Sequence, residues 1–192
     1  MLLTESLQTR LSDWINSNYY VEIKGVWKLV ETTRDGEAEI DIHVDDALAF
    51  IRLEGDDKFP HLSNRKCADA AILEFKPQRT ILHLFECKRT IKKDKWLEIK
   101  QQFEGALLRT LGILGVLGIN GSNDIDEVRC YTAFRRDMLS KNPVILKSVD
   151  GNSPLSDMLD WYSDEVQLLS ITSCIHKKIQ LDYHSGQGLV VL

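Results

Sequence analysis

Three charged side chains, Asp69, Glu86 and Lys88, have the types and the spacing to do chemistry together. The apolar stretch Cys67–Phe75 ends at Lys76-Pro-Gln-Arg79, and a second apolar run, Thr80–Lys88, follows at once. Two such runs around a short polar connection with Pro near its start predict a β-hairpin. Pairing Phe75 with Thr80 sets Asp69 opposite Glu86, with Cβ atoms roughly 4.5–5.5 Å apart. Lys88, two residues beyond Glu86, projects from the same face. Opposed carboxylates repel unless a cation lies between them, so the arrangement points to a metal. The other reading is a solvated strand-edge pair with an Asp in a turn. Against it, Ile81, Leu82, Leu84 and Phe85 make the second run nearly continuously apolar. A strand of that kind is covered on both faces, where unpaired charge is costly.

An Asp beginning one strand, followed by Glu-x-Lys ending the next, resembles the PD-(D/E)XK nuclease superfamily. Here it reads Ala68-Asp69 and then Glu86-Cys87-Lys88, without the Pro that often precedes the Asp. The resemblance covers residues 60–137 well and the remainder loosely. It implies an α+β (α/β/α) fold: a restriction-endonuclease-like core whose central mixed sheet is flanked by helices. An N-terminal β-hairpin and C-terminal β-segments would be additions to that core. It also implies a catalytic Asp69, Glu86 and Lys88, with Mg²⁺ or Mn²⁺ held by Asp69, Glu86 and the backbone carbonyl of Cys87. Lys88 would orient the attacking water. Gln102 on the following helix and Glu5 on the first helix match positions that are accessory in some relatives. The implied activity is metal-dependent endonucleolytic cleavage of DNA, ahead of RNA, in restriction, antiviral defence or DNA processing.

Charge distribution bears on partners. The chain of 192 residues is formally −5, with 43% hydrophobic and 28% charged residues, ordinary for one globular domain. Between Glu31 and Lys58, ten acids face only Arg34, Arg52 and Lys58. From Lys88 to Lys95 the balance reverses, with Asp94 the one acid. Arg89, Lys92, Lys93 and Lys95, together with Arg135 and Arg136 after a later strand, are therefore the candidate nucleic-acid contacts. The acidic segment suggests an alternative: a nuclease-fold subunit or binding module that docks a protein partner, with cleavage partner-dependent or absent. A homodimer, its interface supplied by the extra β-segments, would let two sites cut both strands. No apolar run approaches the roughly 20 residues needed to span a bilayer, and no signal-peptide pattern opens the chain, so a cytoplasmic location is expected. The four cysteines are dispersed and are expected to be reduced.

The elements that must position the trio follow from periodicity. A helix is expected over Leu3–Asn18, and strands over Tyr20–Val30, Ala38–Val44 and Ala47–Leu53, the first two joined by a turn at Arg34-Asp-Gly36. Glu54–Asn64 reads as a loop. A helix near Asp94–Val116 and a strand at Val128–Phe134 follow the hairpin. A helix at Ser153–Ser163 and strands at Val166–His176, Ile179–Tyr183 and Gly188–Leu192 complete the reading.

Overall fold

A computed structural model describes residues 5–53, 64–120, 124–140, 156–168 and 173–192, the side chains at 156–159 excepted. The loop expected from Glu54, with Asp56, Asp57 and Lys58 of the acidic run, lies outside the described residues.

The hairpin forms as the spacing requires. Strands β3 (Ala70–Lys76) and β4 (Arg79–Ile91) are antiparallel, with Phe75 opposite Thr80 and Ala70 opposite Phe85. Upstream, α1 (Glu5–Trp14) leads through a 3-10 turn to β1 (Tyr20–Glu31) and β2 (Ala38–Ile51). Downstream come α2 (Lys93–Val116), β5 (Glu127–Asp137), α3 (Ser156–Ser163), β6 (Glu165–Gln167), β7 (Ser173–Gln180) and β8 (Gln187–Val191). One mixed sheet runs in the order β1-β2-β3-β4-β5-β7-β6, with β8 alongside β2. β4 to β5 is a parallel connection through α2, and β5 to β7 is also parallel.

The stretch from Ala38 to Ile51 is one strand rather than the two expected. Ile23 pairs with Ala47 but Gly25 with Val44, so β2 carries an extra residue at Asp45-Asp46. A bulge of this kind flips the facing of everything beyond it. Ile40, Ile42 and Val44 thereby share a buried layer with Ala47 and Ala49, while Leu48 and Phe50 enter the opposite layer.

Two apolar layers result. One lies between the sheet and the three helices of the described residues, through Leu11, Trp96, Ile99, Phe103 and Trp161. The other contains Phe85, Cys87, Tyr131, Ala133 and Ile179 beneath Leu29, Ile40 and Ile42. Helices therefore cover one face among the described residues, and the bent β1–β2 ribbon covers the other, in place of helices on both sides. Lys177 and Lys178 lie within β7 rather than between strands. Lys178 is accommodated because its ammonium donates to the Trp161 carbonyl at 2.7 Å and pairs with Asp164 at 2.8 Å.

The helix that crosses between β4 and β5 also fixes where β3 begins. Ala68 N donates to the Gln102 carbonyl at 3.0 Å, and a Cβ at Gly105 would lie 1.8 Å from the Lys66 carbonyl oxygen. Only glycine lets the chain cross the middle of α2 this closely, and the crossing delivers Asp69 to the edge of β4.

Candidate functional site

β4 runs well beyond the first residue of β3, leaving its edge from Glu86 onward without a strand partner on that side among the described residues. Side chains and a turn fill the gap. Cys87 N donates to Asp69 Oδ2 at 2.7 Å, and Arg89 N donates to the Asp35 carbonyl at 2.5 Å. The β1–β2 turn thus docks where β3 stops. Gly36 of that turn covers the Cys87 carbonyl so tightly that a Cβ there would sit 2.9 Å from its oxygen and 2.8 Å from Glu31 Cγ.

The three residues singled out by spacing meet at this edge. Glu86 is fully buried and Lys88 nearly so, and their side chains form an ion pair. Glu86 Oε2 is buried without a hydrogen-bond partner among the described residues. Burial, and next the nearby Asp69, push the Glu86 carboxyl well above its usual range. Asp69 is also pushed up, to about 7, chiefly by burial, with the bond from Cys87 N opposing. Burial alone would lower Lys88, but Glu86 and Asp69 outweigh it and hold the ammonium above its ordinary value. Lys88 is therefore a fixed cation rather than a base. The Cys87 thiol, raised strongly by burial, is not a nucleophile.

A further carboxylate belongs to this group. Glu31, the last residue of β1, accepts from Thr33 N at 2.6 Å, and its carboxylate is among the groups that raise Asp69. Its charge adds to those raising Asp69, Glu86 and Cys87. Its position depends on a strand pairing far upstream of the hairpin, and no local pattern around Glu31 announces it.

Among the described residues, no three His, Cys, Asp or Glu side chains are grouped so as to hold a metal ion by themselves. A site of two carboxylates completed by a main-chain carbonyl, water and substrate oxygen is a different construction, which Mg²⁺ commonly uses. The Glu86 oxygen without a hydrogen bond among the described residues, with the charges of Asp69 and Glu31 nearby, has the oxygen chemistry for such an ion.

The accessory residues divide. Gln102 backs the segment that carries Asp69: its Nε2 lies 3.5 Å from the Cys67 carbonyl, and its Oε1 is buried and unpartnered. Glu5 is exposed in the first turn of α1. That helix is tied by Arg10 to the Leu117 carbonyl at the far end of α2, and no contact joins Glu5 to the trio among the described residues.

The basic residues gather more tightly than the sequence conveys. Lys88, Arg89, Lys92, Lys95 and Arg136 line one cleft of about 480 Å³, with Thr90, Met138 and Asp35. Lys93 is exposed on the first turn of α2 and does not line it. Arg135 is a structural cation instead of a phosphate contact. It is 7% exposed, pairs with Glu37 at 3.2 Å, and donates to the carbonyls of Glu37 at 2.8 Å and His184 at 3.3 Å. It thereby clamps the β1–β2 turn to the turn before β8.

Four of the ten acids of the run are paired from within. Glu39 and Asp41 pair with Lys28, Asp35 with Lys95, and Glu37 with Arg135. No helix among the described residues is long and apolar enough to cross a membrane. Comparison with family models, curated proteins and solved structures finds no match to this chain. A functional reading therefore rests on the geometry of this edge and cleft.

Proposed function

We propose that this protein is a Mg²⁺- or Mn²⁺-dependent endonuclease that hydrolyses phosphodiester bonds, with DNA as substrate, in the manner of the PD-(D/E)XK enzymes it resembles. One observation carries the reading. A cleft lined by five cations shares Lys88 with a buried carboxylate pair that has an unsatisfied oxygen. Cations along the cleft neutralise a phosphate backbone and set its register. Asp69, Glu86 and the Cys87 carbonyl would hold the divalent ion, which supplies Lewis-acid polarisation of the phosphate and acidifies water.

Lys88 does the rest of the electrostatic work. Paired with Glu86 at the cleft wall, its ammonium orients the attacking water and stabilises the charge that builds on the phosphoryl oxygens. The water oxygen bonds to phosphorus as the bond to the leaving sugar oxygen breaks; the leaving oxygen takes up one proton from solvent to become a hydroxyl, and the attacking water gives its protons up to solvent. The alternative, docking of a partner through the acidic run, has less to stand on, because Glu37, Glu39 and Asp41 already form internal pairs, which leaves Glu31, Asp45 and Asp46 as its described acids outside an ion pair.

The test is nicking of supercoiled plasmid with Mg²⁺ or Mn²⁺. Wild-type protein should cut, EDTA should stop it, and Glu86→Gln should be silent while retaining its circular-dichroism spectrum. Equal cutting by Glu86→Gln would show that the activity lies elsewhere.

A further inference from the structure

The β1–β2 turn inserts a carboxylate among the cations of the cleft. Asp35 is held at two points: its main-chain carbonyl by Arg89 N at 2.5 Å, and its carboxylate by Lys95 Nζ at 2.8 Å. The hydrogen bond from Lys95, reinforced by the charges of Lys88 and Lys92, keeps the Asp35 carboxyl below its usual range. Among the lining side chains it is the one acid. It is also 71% exposed, so the pair is maintained in contact with water and is of the weak, exchangeable kind. An anion has already selected this point in the cleft, and that anion belongs to the protein.

We infer that Asp35 occupies a phosphate subsite of the cleft and acts as its gate, admitting a polyanionic backbone and turning away isolated phosphates. The inference rests on reading the cleft as a backbone channel. An isolated phosphate must break the Asp35–Lys95 pair and receives one subsite in exchange. A nucleic-acid backbone meets Arg89, Lys92 and Arg136 at the same time, so its phosphate reaches Lys95 at high effective concentration and displaces the carboxylate. The Asp35 main chain stays bound to Arg89 N throughout, so displacement needs only a side-chain rotation.

The experiment measures binding without divalent ions, so that it does not depend on cleavage. A short fluorescein-labelled DNA duplex is titrated by anisotropy across a range of NaCl, with inorganic phosphate as competitor. Asp35→Asn keeps the shape of the turn and removes the charge, with Asp35→Ser as a second variant. Both should bind duplex roughly fivefold tighter at low salt, as removal of one opposing charge a few ångströms from the phosphate implies. The slope of log affinity against log salt should steepen by about one, because one opposing charge is removed and Lys95 is left with its pair to Glu98 at 3.2 Å. Inorganic phosphate should compete at lower concentration than with wild type. In a Lys95→Met background the gain from Asp35→Asn should vanish, which a merely structural role for Asp35 would not produce. Unchanged or weaker binding by both Asp35 variants, with measurable wild-type binding, would overturn the gate and leave the channel standing. Absence of binding by wild type and variants alike would overturn both.

Discussion

Lys88→Ala is expected to lower Mg²⁺-dependent nicking by about 10²–10³-fold or more, the usual loss when a preorganised charge-stabilising group is removed. The expectation follows from the environment of the side chain. Its ammonium is buried against Glu86, and the two carboxylates keep it charged. It offers fixed positive charge in a site shielded from water, where such charge acts most strongly. Truncation leaves Glu86 without its partner, which for a rigidly ionised carboxylate would cost about 3–5 kcal/mol. Glu86 already has a carboxyl raised well above its usual range, so it takes up a proton and the cost falls to about 1–3 kcal/mol. The fold should survive, as a thermal melt would show. Lys88→Arg should not restore cutting, since a planar guanidinium cannot take the position of a compact ammonium.

Asp69→Asn is expected to stabilise the metal-free protein at pH 8 by about 1–4 kcal/mol, while removing activity. Asp69 is forced to ionise at a place that disfavours charge, with a pKa near 7 in the folded chain against an ordinary 3.8. The folded state therefore binds more protons than the unfolded one between those values. Stability from this group is complete below pH 3.8 and is lost as pH rises through about 7. Asparagine keeps an acceptor for Cys87 N and carries no charge. Its advantage should be largest at pH 8 and nearly absent near pH 4, as urea denaturation at the two pH values would measure. Destabilisation by Asp69→Asn at pH 8 would mean that the carboxylate is a structural anchor. A carboxylate whose neutral isostere improves stability is not there to hold the fold, and on the proposed reading it serves a cation and a phosphate.

The hairpin was legible because its information is local. Two apolar runs on either side of the Lys76-Pro-Gln-Arg79 connection fix the pairing of Phe75 with Thr80, and Asp69 and Glu86 follow by counting. The basic residues from Lys88 to Lys95 were legible for the same reason, since a strand end and the helix after it are adjacent in sequence. What escaped was everything delivered by the β1–β2 ribbon. Glu31, Asp35 and Gly36 reach the site only because a bulge at Asp45-Asp46 turns β2 and the ribbon lies across the sheet. Neither the bulge nor the long-range docking leaves a periodic mark. Arg135 and Arg136 show the limit from the other side. Adjacent arginines leaving one strand point to opposite faces, so one is buried against Glu37 and the other lines the cleft.

Manganese offers the most direct measurement of the central claim, that the β4 edge holds a divalent ion for phosphodiester chemistry. Crystals soaked in Mn²⁺ near pH 8, where Asp69 is ionised, should give an anomalous scattering peak within coordination distance of Asp69, Glu86 and the Cys87 carbonyl oxygen. The peak should be absent from Glu86→Gln crystals treated in the same way. A wild-type crystal that takes up Mn²⁺ elsewhere, or none at all, would contradict the account.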